Sequence, residues 1–244
     1  MSDSTFTQAL AAAHGGHASS TAPAGPTDFA AAMRTQRDVT EALGESLAGW
    51  KLGFSPDGVP VAAPLYASLV RASPATMRLP EGGFIIEIEL AFRLARDLPT
   101  KAYTRDEVLA AVDEALIGIE LVRGRFGEPP AAPYPAFLAD NIGNAGYVTG
   151  ETTRSFRAFD LKALRCTFSV DGSIVQDGKG GHPQGDPVEP LRAYASAPID
   201  ELGGLKAGQV VTTGSLIKPL RVDRVSRIEA AIEGVGGISL SLTR

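Results

Sequence analysis

Glu87 and Glu89 stand two positions apart in FIIEIELAF, Phe84 to Phe92, a run that is otherwise wholly apolar. Side chains of a strand alternate faces, so Ile86, Ile88, Leu90 and Phe92 share one face and Ile85, Glu87, Glu89 and Ala91 the other. Two readings fit: a half-buried strand with one wet face, or two carboxylates about 7 Å apart at Cα that form two arms of a metal site. Glu120, in ALIGIELVRG, is a third carboxylate in an apolar setting. If GIELV is a strand, Gly118, Glu120 and Val122 share a face opposite Ile117, Ile119 and Leu121. Three converging carboxylates repel unless a cation sits between them, and anionic oxygens plus waters suit Mg²⁺ or Mn²⁺.

Three further groups carry chemical potential. Lys51, in AGWKLGFS, lies between Trp50 and Leu52, short of water, and is either snorkelling or held for a purpose. Asp140 and Asn141 precede Gly143, Gly146 and Gly150 in LADNIGNAGYVTG, which reads as an Asx-rich turn entering a strand or as a polar cluster. Gly214-Ser215 follows the strand-like QVVTT, where a tight turn can present amides and a hydroxyl to a carboxylate.

These residues need a scaffold, and the pattern around them is mixed. Residues 1 to 26 are rich in Ala, Gly, Ser and Pro and read as a flexible tail, with His14 and His17 solvated in it. From Asp28, the spacing of Phe29, Met33, Val39, Leu43 and Leu47 predicts one or two helices with a Thr27 or Asp28 cap. TRDE at Thr104–Glu107 has the form of a capping box, and Val108, Leu109, Val112 and Leu116 then predict a helical stripe. LRCTFSVDGSIVQDG reads as two strands joined at Asp171-Gly172, EPLRAYAS as a short helix, and GISLSLT as an alternating strand. Few helices around many short strands, with no regular βαβ alternation, predict an α+β fold dominated by sheet.

The totals narrow the function classes. A chain of 244 residues suffices for one substantial core, and no apolar run approaches the roughly 20 residues that span a bilayer. A net charge of -5 without a dense basic cluster argues against nucleic acid as a partner. The single cysteine, Cys166, excludes an internal disulfide and alternates with Leu164, Phe168 and Val170 as a buried thiol. No secretory signal is evident at the N-terminus, so a cytoplasmic location is expected.

Taken together, GWKLGFS, IIEIELAFRLARDLP, IGIELVRGRF, LADNIGNAGYVTG, QGDPVEPLRAYAS and LKAGQVVTTGSL occur in an order that resembles the 2-keto-4-pentenoate hydratase and 4-oxalocrotonate decarboxylase group of the fumarylacetoacetate hydrolase superfamily. The resemblance covers about residues 28 to 243. It implies a sheet-rich α+β fold, a mixed β-sandwich roll, with a flexible tail at 1–26, a helical N-terminal region at 27–80 and a catalytic domain at 81–244. It also implies that Glu87, Glu89 and Glu120 ligate Mg²⁺ or Mn²⁺, and that Lys51 and Asp140 are catalytic. Asn141, Gly214 and Ser215 would bind the substrate, a small-molecule 2-oxo acid. Ile142 and Gly143 stand where the family commonly has Ala and Ser. Arg123 and Arg125 stand where it more often has an acidic and then a basic residue, so Arg123 is either a surface charge or a carboxylate-binding group.

The activity implied is a metal-dependent lyase, adding water to a 2-hydroxydienoate or unsaturated 2-oxo acid in aromatic catabolism, in a homo-oligomer. Decarboxylation of the 4-oxalocrotonate type is the rival, with C–C hydrolysis and a non-catalytic partner subunit behind it. The C–C hydrolases use a histidine paired with a glutamate, whereas here His182 lies in the loop GKGGHPQGDP and reads as solvent-facing.

Overall fold

A computed structural model of the chain describes residues 4–14, 23–127 and 132–244. In chain order the helices are α1 (Ser4–His14), α2 (Phe29–Leu43), α3 (Arg105–Leu109), α4 (Tyr134–Ala139) and α5 (Glu189–Ser196). The strands are β1 (Leu47–Phe54), β2 (Pro60–Tyr66), β3 (Val70–Ala72), β4 (Ala75–Arg78), β5 (Phe84–Leu94), β6 (Val112–Val122) and β7 (Asn144–Thr153). They continue with β8 (Arg165–Val170), β9 (Ser173–Lys179), β10 (Val210–Ser215), β11 (Leu220–Val222), β12 (Arg227–Ile232) and β13 (Gly236–Thr243). The expected sheet-dominated α+β architecture is present.

The larger sheet runs β2-β1-β10-β5-β6-β7-β3, with β11 also pairing β5, and the smaller runs β4-β13-β12-β8-β9. β2 and β3 are opposite edges of the larger sheet, yet only the 3-10 turn Ala67–Leu69 separates them in the chain. The sheet must therefore curl until its edges approach, and β2 does lie against β7, the neighbour of β3. Its outer face carries Ile86, Ile88, Leu90, Phe92, Ile117 and Ile119, which pack with Phe168, Ile228 and Leu240 of the smaller sheet in the main core. Its inner face holds a small apolar plug of Leu65, Ala91, Leu116, Tyr147 and Val210, and beyond that plug the three glutamates.

The hairpin between β8 and β9 turns at Asp171 (φ 47°) and Gly172 (φ 80°), two consecutive left-handed residues of the kind a two-residue hairpin needs. Helix α2 starts at Asp28, whose side chain accepts from the Ala31 N–H at 2.7 Å, and stops at Gly44 with φ 64°.

Four expectations fail here. Residues 4–14 of the expected tail form α1, amphipathic enough to bury Phe6 and Leu10 against α2 and its neighbours, and its His14 is half-buried, with Nε2 out of reach of water. His17 lies outside the described residues. The 27–80 region is α-helical only in α2: the hairpin β1–β2 belongs to the larger sheet, and Leu47 opens β1 instead of closing a helical stripe. The capping box at Thr104 is present, but its helix ends at Leu109. Residues 112–122 pair with β5 along its whole length, and burial on both faces of a ladder outweighs the single face a helix would have covered.

Candidate active site and metal centre

Register delivers the carboxylates to one place. Glu87 lies directly opposite Glu120 across β5 and β6, and Glu89 lies opposite Gly118. One carboxylate oxygen from each of Glu87, Glu89 and Glu120 lies within 4.8 Å of the others. Glu89 and Glu120 are fully buried, while the Glu87 side chain keeps 19% exposure. The pairing of β5 explains that difference. β10 pairs β5 up to Glu89 and β11 resumes at Ile86, so the intervening chain leaves the ladder beside Glu87 and lines the cavity there.

Lys51 enters from β1, whose Trp50 points the opposite way into the core and donates its indole N–H to Gly204 O and Gln209 Oε1. With that anchor, the Lys51 Nζ sits 3.0 Å from Glu120 Oε1, 3.7 Å from Glu87 Oε2 and 3.5 Å from the Ile142 carbonyl. Burial alone would lower its pKa, but Glu120, Glu87 and Glu89 outweigh it and hold the ammonium above its ordinary value. Burial, with Glu87 adding repulsion against the pull of Lys51, raises Glu120 to about 7, and burial with Glu120 and Glu87 raises Glu89.

With all three carboxylates ionised, one ammonium leaves two negative charges in a largely buried site, the charge of one divalent cation. The donor set fits such an ion. Glu120 Oε2 is buried without a hydrogen-bond partner, while Oε1 is occupied by Lys51 and by the Asn144 side-chain N–H at 2.9 Å. Glu89 is fixed by the Gly214 N–H at 3.0 Å and by the Thr212 hydroxyl. Asn144 and Thr212 are positioning groups that the sequence does not single out, and the Tyr147 phenol crosses to the place a side chain at Gly118 would take.

A cavity of about 670 Å³ opens beside the cluster, lined by Lys51, Glu87, Tyr134, Ile142, Gly214 and Ser215, with Lys179 and Lys218 toward its mouth. Asn141, Ile142 and Gly143 all adopt left-handed φ of 53°, 51° and 69°. For β-branched Ile142 that conformation costs on the order of 1–3 kcal/mol, and it turns the Ile142 carbonyl toward Lys51.

Several expected site residues sit differently. Asp140 does not line the cavity. Its carboxylate accepts the Arg125 backbone N–H at 2.5 Å and Arg125 Nη1 at 3.1 Å, and burial raises it to about 6 despite that guanidinium. Asn141 lies beside Tyr66 with its Oδ1 buried and unpartnered. Arg123 lines a separate cavity with Arg78 and Arg125. Gly214 and Ser215 do reach the cavity wall, but the Gly214 N–H is spent on Glu89 and the Ser215 hydroxyl accepts from the Ile88 and Ile217 N–H groups. His182 is half-buried, not solvent-facing. Its Nδ1 accepts from the Gln184 N–H at 3.2 Å, which leaves Nε2–H to donate to the Thr213 carbonyl at 2.9 Å.

Known proteins resemble this chain in sequence and in fold. The sequence model of the fumarylacetoacetate (FAA) hydrolase C-terminal family matches residues 55–242. A 2-keto-4-pentenoate hydratase of Paraburkholderia phymatum is 29% identical over 233 residues, 91% of this chain and 88% of that protein. A 2-hydroxyhexa-2,4-dienoate hydratase of Comamonas testosteroni is 30% identical over 215 residues, 83% of this chain and 81% of that protein. The solved 4-oxalocrotonate decarboxylase from Pseudomonas putida G7, complexed with magnesium and adipate, superposes with a TM-score of 0.75 at 20% identity, covering 98% of both chains. With a family match across most of its length, the ordered motifs and the same fold, the chain belongs to the fumarylacetoacetate hydrolase family.

Proposed function

We propose that the protein is a divalent-metal-dependent hydratase that adds water to a 2-hydroxydienoate, giving a 4-hydroxy-2-oxo acid. The observation that carries this reading is the convergence of Glu87, Glu89 and Glu120 with Lys51 at the inner end of an open cavity, in a chain whose relatives are named hydratases. Glu87, Glu89 and Glu120 hold Mg²⁺ or Mn²⁺. When bound, such an ion would supply Lewis-acid polarisation of the 2-oxo acid.

The remaining work falls to this chain's own side chains. The dienol loses its hydroxyl proton and gains one at its far carbon, giving the α,β-unsaturated 2-oxo acid. Water then adds, its oxygen to C4 and a proton to C3. Lys51, held cationic by its carboxylate neighbours and facing the cavity, carries the transferred proton. Asn144, Thr212 and the Gly214 N–H hold the carboxylates in place, and Asp140 acts at a distance by fixing Arg125 and the turn at Asn141–Gly143. Gly214 and Ser215 shape the wall around the substrate carboxylate. A cytoplasmic homo-oligomer belongs to the same reading.

C–C hydrolysis is disfavoured because both ring nitrogens of His182 are engaged by the backbone, leaving no free nitrogen to activate water. Decarboxylation of a 2-oxo dioic acid stands second, on the observation that Lys179 and Lys218 line the cavity and suit a second carboxylate. Product analysis separates the two. The Mg²⁺-loaded protein is given 2-hydroxypenta-2,4-dienoate and, separately, 2-oxohex-3-enedioate, while ultraviolet loss and released CO₂ are followed. Water addition without CO₂ is the expected outcome, CO₂ release favours the second reading, and inertness toward both refutes the pair.

A further inference from the structure

A second cavity, of about 560 Å³, lies outside the glutamate site and plays no part in the chemistry above. Three arginines line it together with Glu81, Leu79 and Phe84. Each arginine springs from a fixed point. Arg78 ends β4, where it pairs with Thr243. Arg123 is the first residue beyond β6, and its backbone N–H donates to the Gly143 carbonyl at 2.6 Å. Arg125 is clamped by Asp140 through backbone and side chain at 2.5 and 3.1 Å. Among the described residues, the guanidinium groups of Arg78 and Arg123 have no carboxylate partner. Counting Glu81 and Asp140 against the three guanidinium groups leaves one net positive charge.

Guanidinium forks on rigid strand ends, in a concavity walled partly by apolar side chains, match the planar oxygens of carboxylates and phosphates. We propose that this cavity is a binding site for a small polyanion, one carrying two or more carboxylate or phosphate groups, with Arg78 and Arg123 as its principal contacts. The site is separate from the metal centre, since Arg123 follows Glu120 by three residues, just past the end of β6 and roughly 10 Å along the extended chain. It is nonetheless tied to it, because the Gly143 that Arg123 holds belongs to the left-handed run whose Ile142 carbonyl faces Lys51.

The test is calorimetric titration of the full-length, Mg²⁺-loaded protein with propane-1,2,3-tricarboxylate and with inorganic phosphate. Saturable binding of either probe is expected, the responding probe identifying the preferred group. Arg78→Ala/Arg123→Ala should weaken it by about tenfold or more, the loss of charge-assisted contacts at two arginines. Glu87→Ala should bind the probes as the wild type does, which separates this site from the metal centre. If the double alanine variant does not fold, Arg78→Lys/Arg123→Lys, which keeps the charge and loses the fork, should still bind more weakly than wild type. No heat with either probe at millimolar concentration overturns the proposal. So does affinity unchanged in the folded arginine variants, or binding lost in Glu87→Ala. A probe that acts only by changing the oligomeric state, read by sedimentation, also overturns it.

Discussion

The two faces of β5 carry opposite chemistry. Outward, Ile86, Ile88, Leu90 and Phe92 meet the smaller sheet in a continuous core, and every one of them is fully buried. Inward, Glu87 and Glu89 meet Glu120 and Lys51, with polar hydrogen-bond partners in place of packing. The outer face stabilises the fold through apolar burial, while the inner face confines unbalanced charge. One strand thus carries both the scaffold and the load it supports, and substitutions on the two faces are expected to separate stability from activity.

The largest separation is expected from Glu89→Ala. It should abolish divalent-cation binding, seen as loss of calorimetric heat, and reduce turnover by on the order of a thousandfold or more. The cation-free variant should melt no lower than the cation-free wild type, because a buried and repelled carboxylate is gone. A wild type that shows neither heat nor thermal shift with Mg²⁺ or Mn²⁺ would sink the metal assignment. Lys51→Met should follow, lowering turnover by roughly 10²–10⁴-fold as a proton carrier is lost, with cation binding retained. Turnover within a few-fold of wild type would remove Lys51 from the chemistry.

Ile88→Ala, on the opposite face, reverses the pattern. It should destabilise the protein by about 2–5 kcal/mol in denaturant unfolding while activity per folded molecule persists. Gly118→Ala probes the inner face without touching a charge. A Cβ there would lie 1.9 Å from the Tyr147 hydroxyl, so a loss of about 1–3 kcal/mol is expected. Tyr147→Phe in the same chain should recover part of it, and additive losses would disprove the contact.

The smallest effect is a pH dependence. Glu120 is raised from 4.5 to about 7, chiefly by burial, so the folded cation-free protein holds a proton that the unfolded chain has already released. In the window between those values its stability contribution falls as pH rises, and a cation must displace the proton to bind. Cation affinity should therefore weaken below about pH 7 and binding should release protons, measured by calorimetry in buffers of different ionisation heat. Affinity flat across that window would contradict the raised carboxylate.

What the sequence disclosed follows from which contacts are local. The alternation that separates Glu87 and Glu89 from the isoleucines is a property of a strand by itself, and so are the Asp171-Gly172 turn and the Thr104 capping box. Glu120 was visible as a carboxylate in an apolar run. Asn144 and Thr212 are not legible in the sequence, because each acts through a partner 24 or 123 residues distant that only ladder register brings near. The places of Asp140 and Arg123 are not legible for the same reason, since nothing local tells an Asp-Asn pair that points at a substrate from one that clamps an arginine. Helix α1 went unread because its Ala-rich stretch runs into Gly and Ser, and only Phe6 and Leu10 mark the face it buries.

The turn at Ala67–Leu69 has one more consequence, for solubility. By bringing β2 round to β7, it folds the rims of the larger sheet toward each other, so neither long rim is presented as a template for a foreign strand. The smaller sheet has no such closure: β9 is an edge, and Ile174 and Val175 stand 73% and 50% exposed on it. Misassembly between copies should begin at β9, and a charged residue at position 174 would guard that edge without reaching the glutamates.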